Sequence, residues 1–275
     1  MDIKKATGRH EAFSHAKLSA SLRRAGVPGH QVEQVSSAIE RGLEPGITST
    51  DIFRSALRHL VKEDLDTAVS YGLRRAVNSL GPEGFIFEQY VEALLRAYGY
   101  KTERNVIMQG MCVDHEIDVL AKKDHIHYLI EAKYRNSPGI KTHIDVVMYA
   151  DARRNDIAPY QEKNEKEKAR HIMWLITNTK FTRKSIQYAE CRDLLLTGWN
   201  YPKEDNLQDL IRKKKAYPVT VLPSLSRAGR KVFVEKGMLL AQDILPYTEE
   251  QIQGFGLSVQ EARSIYREVH ELLKK

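Results

Sequence analysis

The stretch Gly81-Pro82-Glu83-Gly84 separates two parts of the chain that follow different hydrophobic periods. Gly and Pro both break a helix, so no regular element is expected to run through it. Before it, a short extended piece from Met1 to Ala6, a turn at Thr7-Gly8 and a second extended piece reaching Phe13 precede four amphipathic helices. Their stripes are Leu18, Leu22 and Ala25; Val32, Val35 and Ile39; Phe53, Leu57 and Leu60; and Val69, Leu73, Ala76 and Leu80. This is the spacing of three or four that puts residues on one helical face. Thr48-Ser49-Thr50-Asp51 supplies cap residues for the third helix.

Beyond the break, a helix carrying Phe87, Val91, Leu94 and Tyr98 stops at Gly99. Strand-like runs follow at 105–109, 113–121 and 125–134, then a helix at 142–155, a strand at 171–177 and a helix at 182–190. A strand at 193–197 and a helix at 206–215 close this part. The order α-β-β-β-α-β-α-β predicts an α/β fold with a mixed sheet and helices packed on it. After Tyr217-Pro218 come helical pieces at 226–236, 238–244 and 258–275, punctuated by Gly237, Pro246, Gly254 and Gly256. Three segments result: 1–81, 82–222 and 223–275.

The middle segment holds Asp118, then twelve residues, then Glu131-Ala132-Lys133. Successive side chains of a strand alternate faces, so Glu131 and Lys133 project together while Ile130 and Ala132 point the other way. If the strands pair as a hairpin around Lys122-Lys123-Asp124, Asp118 comes near Glu131 at one end of the sheet. Phosphodiester hydrolysis needs such a set. Two carboxylates hold one or two Mg²⁺ or Mn²⁺ ions through hard oxygens. The ion polarises the phosphate, and a neighbouring lysine orients water and offsets developing charge.

These residues resemble the PD-(D/E)XK nuclease superfamily, in particular the Mrr-like restriction endonuclease domain, over about Gly84 to Leu222. The resemblance rests on Phe87-Glu88, Leu94-Leu95, Gly99-Tyr100, Glu116-Ile117-Asp118 and Glu131-Ala132-Lys133. It implies a restriction-endonuclease-like αβββαβ core acting on DNA. Asp118 and Glu131 would be metal ligands, with the Ala132 backbone carbonyl as a third and Glu88 completing the site; Lys133 would be the catalytic lysine. His115, Glu116, His143 and Asp145 lie near this set in sequence and read mainly as solvated surface. Tyr134, Arg135, Lys180 to Lys184 and Arg212 to Lys215 are candidate phosphate contacts.

The first segment is similar to an ATP-cone, a β-hairpin plus four-helix nucleotide sensor. Lys4-Lys5-Ala6-Thr7-Gly8-Arg9, Glu11, Phe13, Lys17 and Leu18, then Gly46 to Ile52 and Tyr71-Gly72-Leu73-Arg74-Arg75, carry the likeness. It implies that Lys4, Lys5 and Lys17 face the phosphates of ATP or dATP, that Glu11 and Ser14 face the base or ribose, and that Ser49 or Thr50 lies near the adenine. An arginine usual in that opening is replaced by Ala6. In the last segment, Leu225 to Arg230 before Val232-Phe233 and Gly237 is similar to a helix-hairpin-helix module.

The net charge of +7 suits a polyanionic partner. Cys112 and Cys191 lack the spacing of a zinc or disulfide framework and are expected to be buried thiols. With no apolar run of about 18 residues and no apolar leader, the chain reads as soluble and cytoplasmic, with no membrane partner. The resulting expectation is a nucleotide-regulated DNA endonuclease in restriction, defence or repair, working as a homo-oligomer. Two alternatives stand beside it: a nucleotide-responsive DNA-binding regulator with a silent nuclease fold, and a structure-specific nuclease such as a junction resolvase.

Overall fold

The computed structural model describes residues 2–4, 10–81, 84–136, 139–164 and 169–274. The expected Thr7-Gly8 turn and the Pro82-Glu83 centre of the break lie outside the described residues.

Strands β1 (Asp2–Lys4) and β2 (His10–Ala12) form an antiparallel hairpin with Ile3 opposite Glu11. Four helices follow: α1 (His15–Arg24), α2 (Gly29–Arg41), α3 (Ser49–Glu63) and α4 (Leu65–Val77). The caps explain the boundaries. Ser14 accepts the Lys17 N–H, Thr48 and Asp51 make a reciprocal capping box, and Asp64 accepts the Thr67 N–H. Ile3, Leu22, Val32, Ile39, Ile52 and Leu60 build the core of this unit. The third helix departs from expectation in one respect. Ile52, Ala56 and Leu60 form its buried stripe, while Phe53 turns aside to stack on Tyr71 with ring centroids 5.0 Å apart.

Helix α4 is shared between units. Ala68 belongs to the N-terminal core, whereas Leu65, Val69, Leu73, Ala76, Val77 and Leu80 join the large core beneath the sheet. The helix ends at Val77, and the packing continues through Leu80 up to the break at Gly81.

The middle unit opens with α5 (Gly84–Ala97), then β3 (Lys101–Gln109), β4 (Asp114–Lys123) and β5 (Ile126–Lys133). The two-residue β6 (Lys141–Thr142) precedes α6 (Ile144–Asn164), β7 (Arg170–Thr177), the two-residue β8 (Lys180–Phe181), α7 (Arg183–Cys191), β9 (Leu195–Thr197) and α8 (Leu207–Lys213). The main sheet has the order β3-β4-β5-β7-β9, antiparallel through β3, β4 and β5 and parallel through β5, β7 and β9. A mixed α/β sheet was the expectation.

Helix α5 packs one face through the fully buried Phe87, Tyr90, Val91 and Leu94. Each such side chain contributes about 1.5–3 kcal/mol on burial. Helices α6 and α7 cover the other face over Leu120, Leu129, Met173 and Leu175. Helix α6 runs past the expected end at Asn155, through Pro159, because Tyr160 and Gln161 are tied to Gln109 of β3.

The C-terminal unit contains α9 (Arg227–Glu235), α10 (Glu249–Gln253) and α11 (Val259–Leu273). The helix expected over 238–244 is reduced to a single tight turn, and α10 was not expected. The unit shares the α5-side core through Phe233, Ile252, Ile265 and Val269. Both cysteines are exposed rather than buried, Cys112 at a hairpin tip and Cys191 at the end of α7. Among the described residues no helix is long and apolar enough to cross a membrane.

Candidate active site

Asp118 sits at a fault in the sheet. Strands β3 and β4 pair in one register from Lys101–Lys122 to Arg104–Val119, skip the Asn105–Asp118 pair, and resume at Val106–Ile117. Asn105 is left-handed with φ 52°, a conformation that Asn tolerates better than most residues. The side chains change faces at this point. Val119 and Ala121 belong to the α5-side core, but Ile117 belongs to the α6-side core. The β4–β5 ladder also ends at Val119–Ile130. Just past that end the Asp118 carboxylate accepts the Ala132 N–H at 2.8 Å.

By strand alternation Glu131 and Lys133 share the face of Leu129, which is covered by α6. Arg153 of α6 donates to Glu131, and the two side chains are 8% and 12% exposed. Glu88 approaches from α5.

The charges of these groups act on one another. Burial pushes the Asp118 carboxyl up to about 7, with Glu131 adding to the shift, the Ala132 N–H opposing it, Glu88 adding again and Arg153 opposing. Glu88 is raised by burial and then by Glu131 and Glu116, while Arg104 and Lys133 pull it down. Glu88, Asp118, Glu131 and Lys133, from α5, β4 and β5, are thus linked by mutual electrostatic interaction. The site carries more negative charge than its surroundings neutralise. Among the described residues no three His, Cys, Asp or Glu side chains are grouped closely enough to hold an ion by themselves. The acids on offer are the two strand carboxylates, with Glu88 nearby.

Two arginines escaped the sequence reading. Arg104 lies on β3, ion-paired to Glu92 at 2.7 Å. Arg153 lies in the apolar stripe Val147, Ala150, Ile157 of α6, and a charged residue within such a stripe was the available signal. His115 is drawn away from these groups. Its Nε2 lies 2.8 Å from Asp156, which also accepts the Cys112 and Val113 N–H groups at the hairpin tip. Glu116 stays near the site and accepts from Asn105 at 3.0 Å. His143 and Asp145 are exposed.

In the basic run at the end of α8, Arg212 and Lys215 join the units. Arg212 donates to the Ala25 carbonyl, Lys213 pairs with Asp205, and Lys215 donates to the Leu272 and Lys274 carbonyls. Lys180, Arg183 and Lys184 are exposed beside the end of β7.

A cavity of about 290 Å³ opens in the N-terminal unit. Of the residues expected around a nucleotide, Glu11, Ser14, Lys17 and Ser49 line it. Lys17 pairs with Glu11 at 3.3 Å. Thr50 lines a neighbouring cleft instead, and Lys4 is held outside the cavity by a backbone bond to Ile47. Lys5 lies outside the described residues. Tyr71, Arg74 and Arg75 of α4 complete the lining. Burial and then Arg24 lower the Arg74 guanidinium; burial first, and also Arg54, lower Arg75.

Comparison with known proteins gives the family. A restriction endonuclease family model, of the Mrr catalytic type, matches residues 82–198, and an AF1548-like C-terminal model matches 217–273 in place of the expected helix-hairpin-helix. An uncharacterized protein of Archaeoglobus fulgidus is 35% identical over 180 residues, spanning 66% of this chain and 98% of the relative. The crystal structure of AF1548, described as a protein of unknown function, is 34% identical over 68% of this chain and 96% of its own, with a TM-score of 0.55. The chain belongs to the family of these AF1548-like proteins, with a nuclease-superfamily domain of the restriction endonuclease type followed by the AF1548-like C-terminal domain.

Proposed function

We propose that this protein is a metal-dependent DNA endonuclease, set by ATP or dATP bound in the N-terminal cavity and acting in restriction, defence or repair. The observation that carries the reading is the meeting of Glu88, Asp118, Glu131 and Lys133 where the sheet is faulted.

Asp118, Glu131 and the Ala132 carbonyl would hold Mg²⁺ or Mn²⁺, with Glu88 beside them. The fit rests on hard oxygen donors; burial, and then the Glu131 and Glu88 carboxylates, raise the Asp118 carboxyl to about 7, an unfavourable charge that a bound cation would offset. When bound, such an ion polarises the scissile phosphate and makes hydroxide available at neutral pH. The chain's own groups do the rest. Asp118 would serve as a ligand in its carboxylate form, with the bond from the Ala132 N–H keeping it aimed at the strand end. Glu131 would serve once Arg153, which donates to it, turns aside. The Lys133 ammonium donates toward the attacked phosphate and offsets the charge that develops there. Exposed Lys180, Arg183 and Lys184 hold the DNA backbone alongside. A homo-oligomer with two such sites would cut both strands.

The nucleotide reading is supported by the cavity that collects Glu11, Ser14, Lys17 and Ser49 with Arg74 and Arg75. Those two arginines supply the guanidinium charge that the Lys5-Ala6-Thr7-Gly8 opening lacks. One observation favours the regulator reading instead: Arg153 already neutralises Glu131, as in a site that no longer takes an ion.

Incubation with plasmid, linear, single-stranded and branched DNA, with Mg²⁺ or Mn²⁺ and with or without ATP and dATP, tests the proposal. Cleavage that requires the ion supports it, and preference for branched substrates would assign it to junction resolution. DNA binding without cleavage of any substrate, and with no Mn²⁺ binding detected by calorimetry, favours the regulator.

A further inference from the structure

We infer that Asn78 positions the strand end carrying Lys133 and passes occupancy of the N-terminal cavity to the nuclease site. The inference rests on the proposed nucleotide reading for its ligand, and on geometry for its path.

Helix α4 lines the cavity with Tyr71, Arg74 and Arg75, and Asn78 caps its C-terminus. Seven residues separate Tyr71 from Asn78, about 10 Å along a helix. At that cap the chain grips the nuclease domain twice. The Asn78 carbonyl accepts the Tyr134 hydroxyl at 2.7 Å, and its Oδ1 accepts the Asn178 amide at 2.9 Å. Asn178 is fully buried and holds Arg135, two residues beyond the active-site strand, through both its N–H and its carbonyl. Its Oδ1 accepts the Arg135 N–H at 2.9 Å and its Nδ2 donates to the Arg135 carbonyl at 3.0 Å. Lys133 itself is pinned by Thr177, whose hydroxyl donates to the Lys133 carbonyl at 2.7 Å. The Tyr134 ring lies 5.6 Å from Phe87, the neighbour of Glu88.

A shift of the α4 end therefore reaches the residues directly after Lys133 without passing through a mobile loop. A buried amide network with its bonds made is costly to break, so the contacts move together with the helix. Linkage requires the effect to run both ways, from cavity to active site and back. Arg74 and Arg75 lie within one turn of Asn78, so an anion drawn between them acts on the last turn of the helix.

The test compares wild type with Asn78→Leu, which loses the side-chain acceptor, and Asn78→Asp, which keeps it. Amide hydrogen exchange over residues 133–136 is measured with and without ATP, and ATP binding is measured by calorimetry. The expected result is ATP binding by all three proteins. Exchange over 133–136 changes about fivefold or more in wild type and Asn78→Asp. In Asn78→Leu it is faster without ATP and no longer responds. A full response in Asn78→Leu, or ATP binding to wild type with no change over 133–136, overturns the inference. If wild type gives no binding heat with ATP, the nucleotide reading fails. The ATP-free comparison then decides the positioning role alone: faster exchange in Asn78→Leu supports it, and unchanged exchange overturns it.

Discussion

Arg153 donates from α6 to Glu131 on β5, so a cation of the chain itself holds the second strand carboxylate. Both side chains are nearly buried, and removing one partner leaves the other charge without compensation. Arg153→Met is expected to lower the stability of the protein in EDTA by about 3 kcal/mol. Because the same change vacates Glu131, Mn²⁺ should stabilise the variant more than it stabilises wild type. Thermal unfolding in EDTA and in Mn²⁺ measures both effects; equal Mn²⁺ shifts in the two proteins would separate Arg153 from the ion site.

Asp118 makes stability depend on pH in a defined direction. Its folded-state pKa lies near 7 against 3.8 for the ordinary group, so the folded protein holds a proton that the unfolded chain releases. Metal-free stability therefore falls as pH rises from about 4 to about 7 and levels off above that. Asp118→Asn keeps an oxygen for the Ala132 N–H and removes the charge. It should be about 2 kcal/mol more stable than wild type at pH 8, roughly half of what ~1.4 kcal/mol per pH unit gives for a group partly open to solvent. At pH 4 the two should coincide. Urea unfolding in EDTA at the two pH values checks the sign.

The hairpin beyond the site depends on close packing at Gly110. A Cβ there would meet the Asp156 carboxylate at 2.2 Å and the Val113 carbonyl at 2.8 Å. Asp156 cannot retreat without releasing Cys112, Val113 and His115. Gly110→Ala should cost about 2 kcal/mol, seen as a lower midpoint in denaturant with an unchanged slope.

Much of this was legible in the chain because period and chemistry coincide there. Alternation along Tyr128 to Lys133 marks a strand with Glu131 and Lys133 on one face, hairpin pairing brought Asp118 near them, and the resemblance added Glu88. The fault at Asn105 was not legible as such. The sequence reading simply began its strand there, whereas β3 starts at Lys101 and the left-handed residue lies inside it. Arg153 was missed because the helix at 142–155 was given a range but no buried face. The role of Arg212 and Lys215 was misjudged for a different reason. Their partners, Ala25, Leu272 and Lys274, are backbone carbonyls more than fifty residues away, which local pattern cannot indicate.

DNA affinity should depend on salt through the exposed basic residues beside β7. Charge reversal of Lys180, Arg183 and Lys184 together should weaken binding at least tenfold and flatten the plot of log affinity against log salt by up to about 2.7, near 0.9 for each lost phosphate contact. Reversal of Arg212 and Lys215 should instead lower stability, because those groups join the units. Fluorescence anisotropy across a salt series, paired with thermal unfolding, separates the two outcomes.

The central claim is that Lys133 acts beside Asp118 and Glu131 in phosphodiester hydrolysis. It is tested most directly by comparing plasmid cleavage by wild type and Lys133→Ala in Mg²⁺ or Mn²⁺, with DNA binding measured in parallel. The account predicts ion-dependent cleavage by wild type and a loss of about 100-fold or more in the variant, with DNA affinity nearly unchanged. Equal cleavage by the two proteins, or none by wild type under any combination of ion and nucleotide, would contradict it.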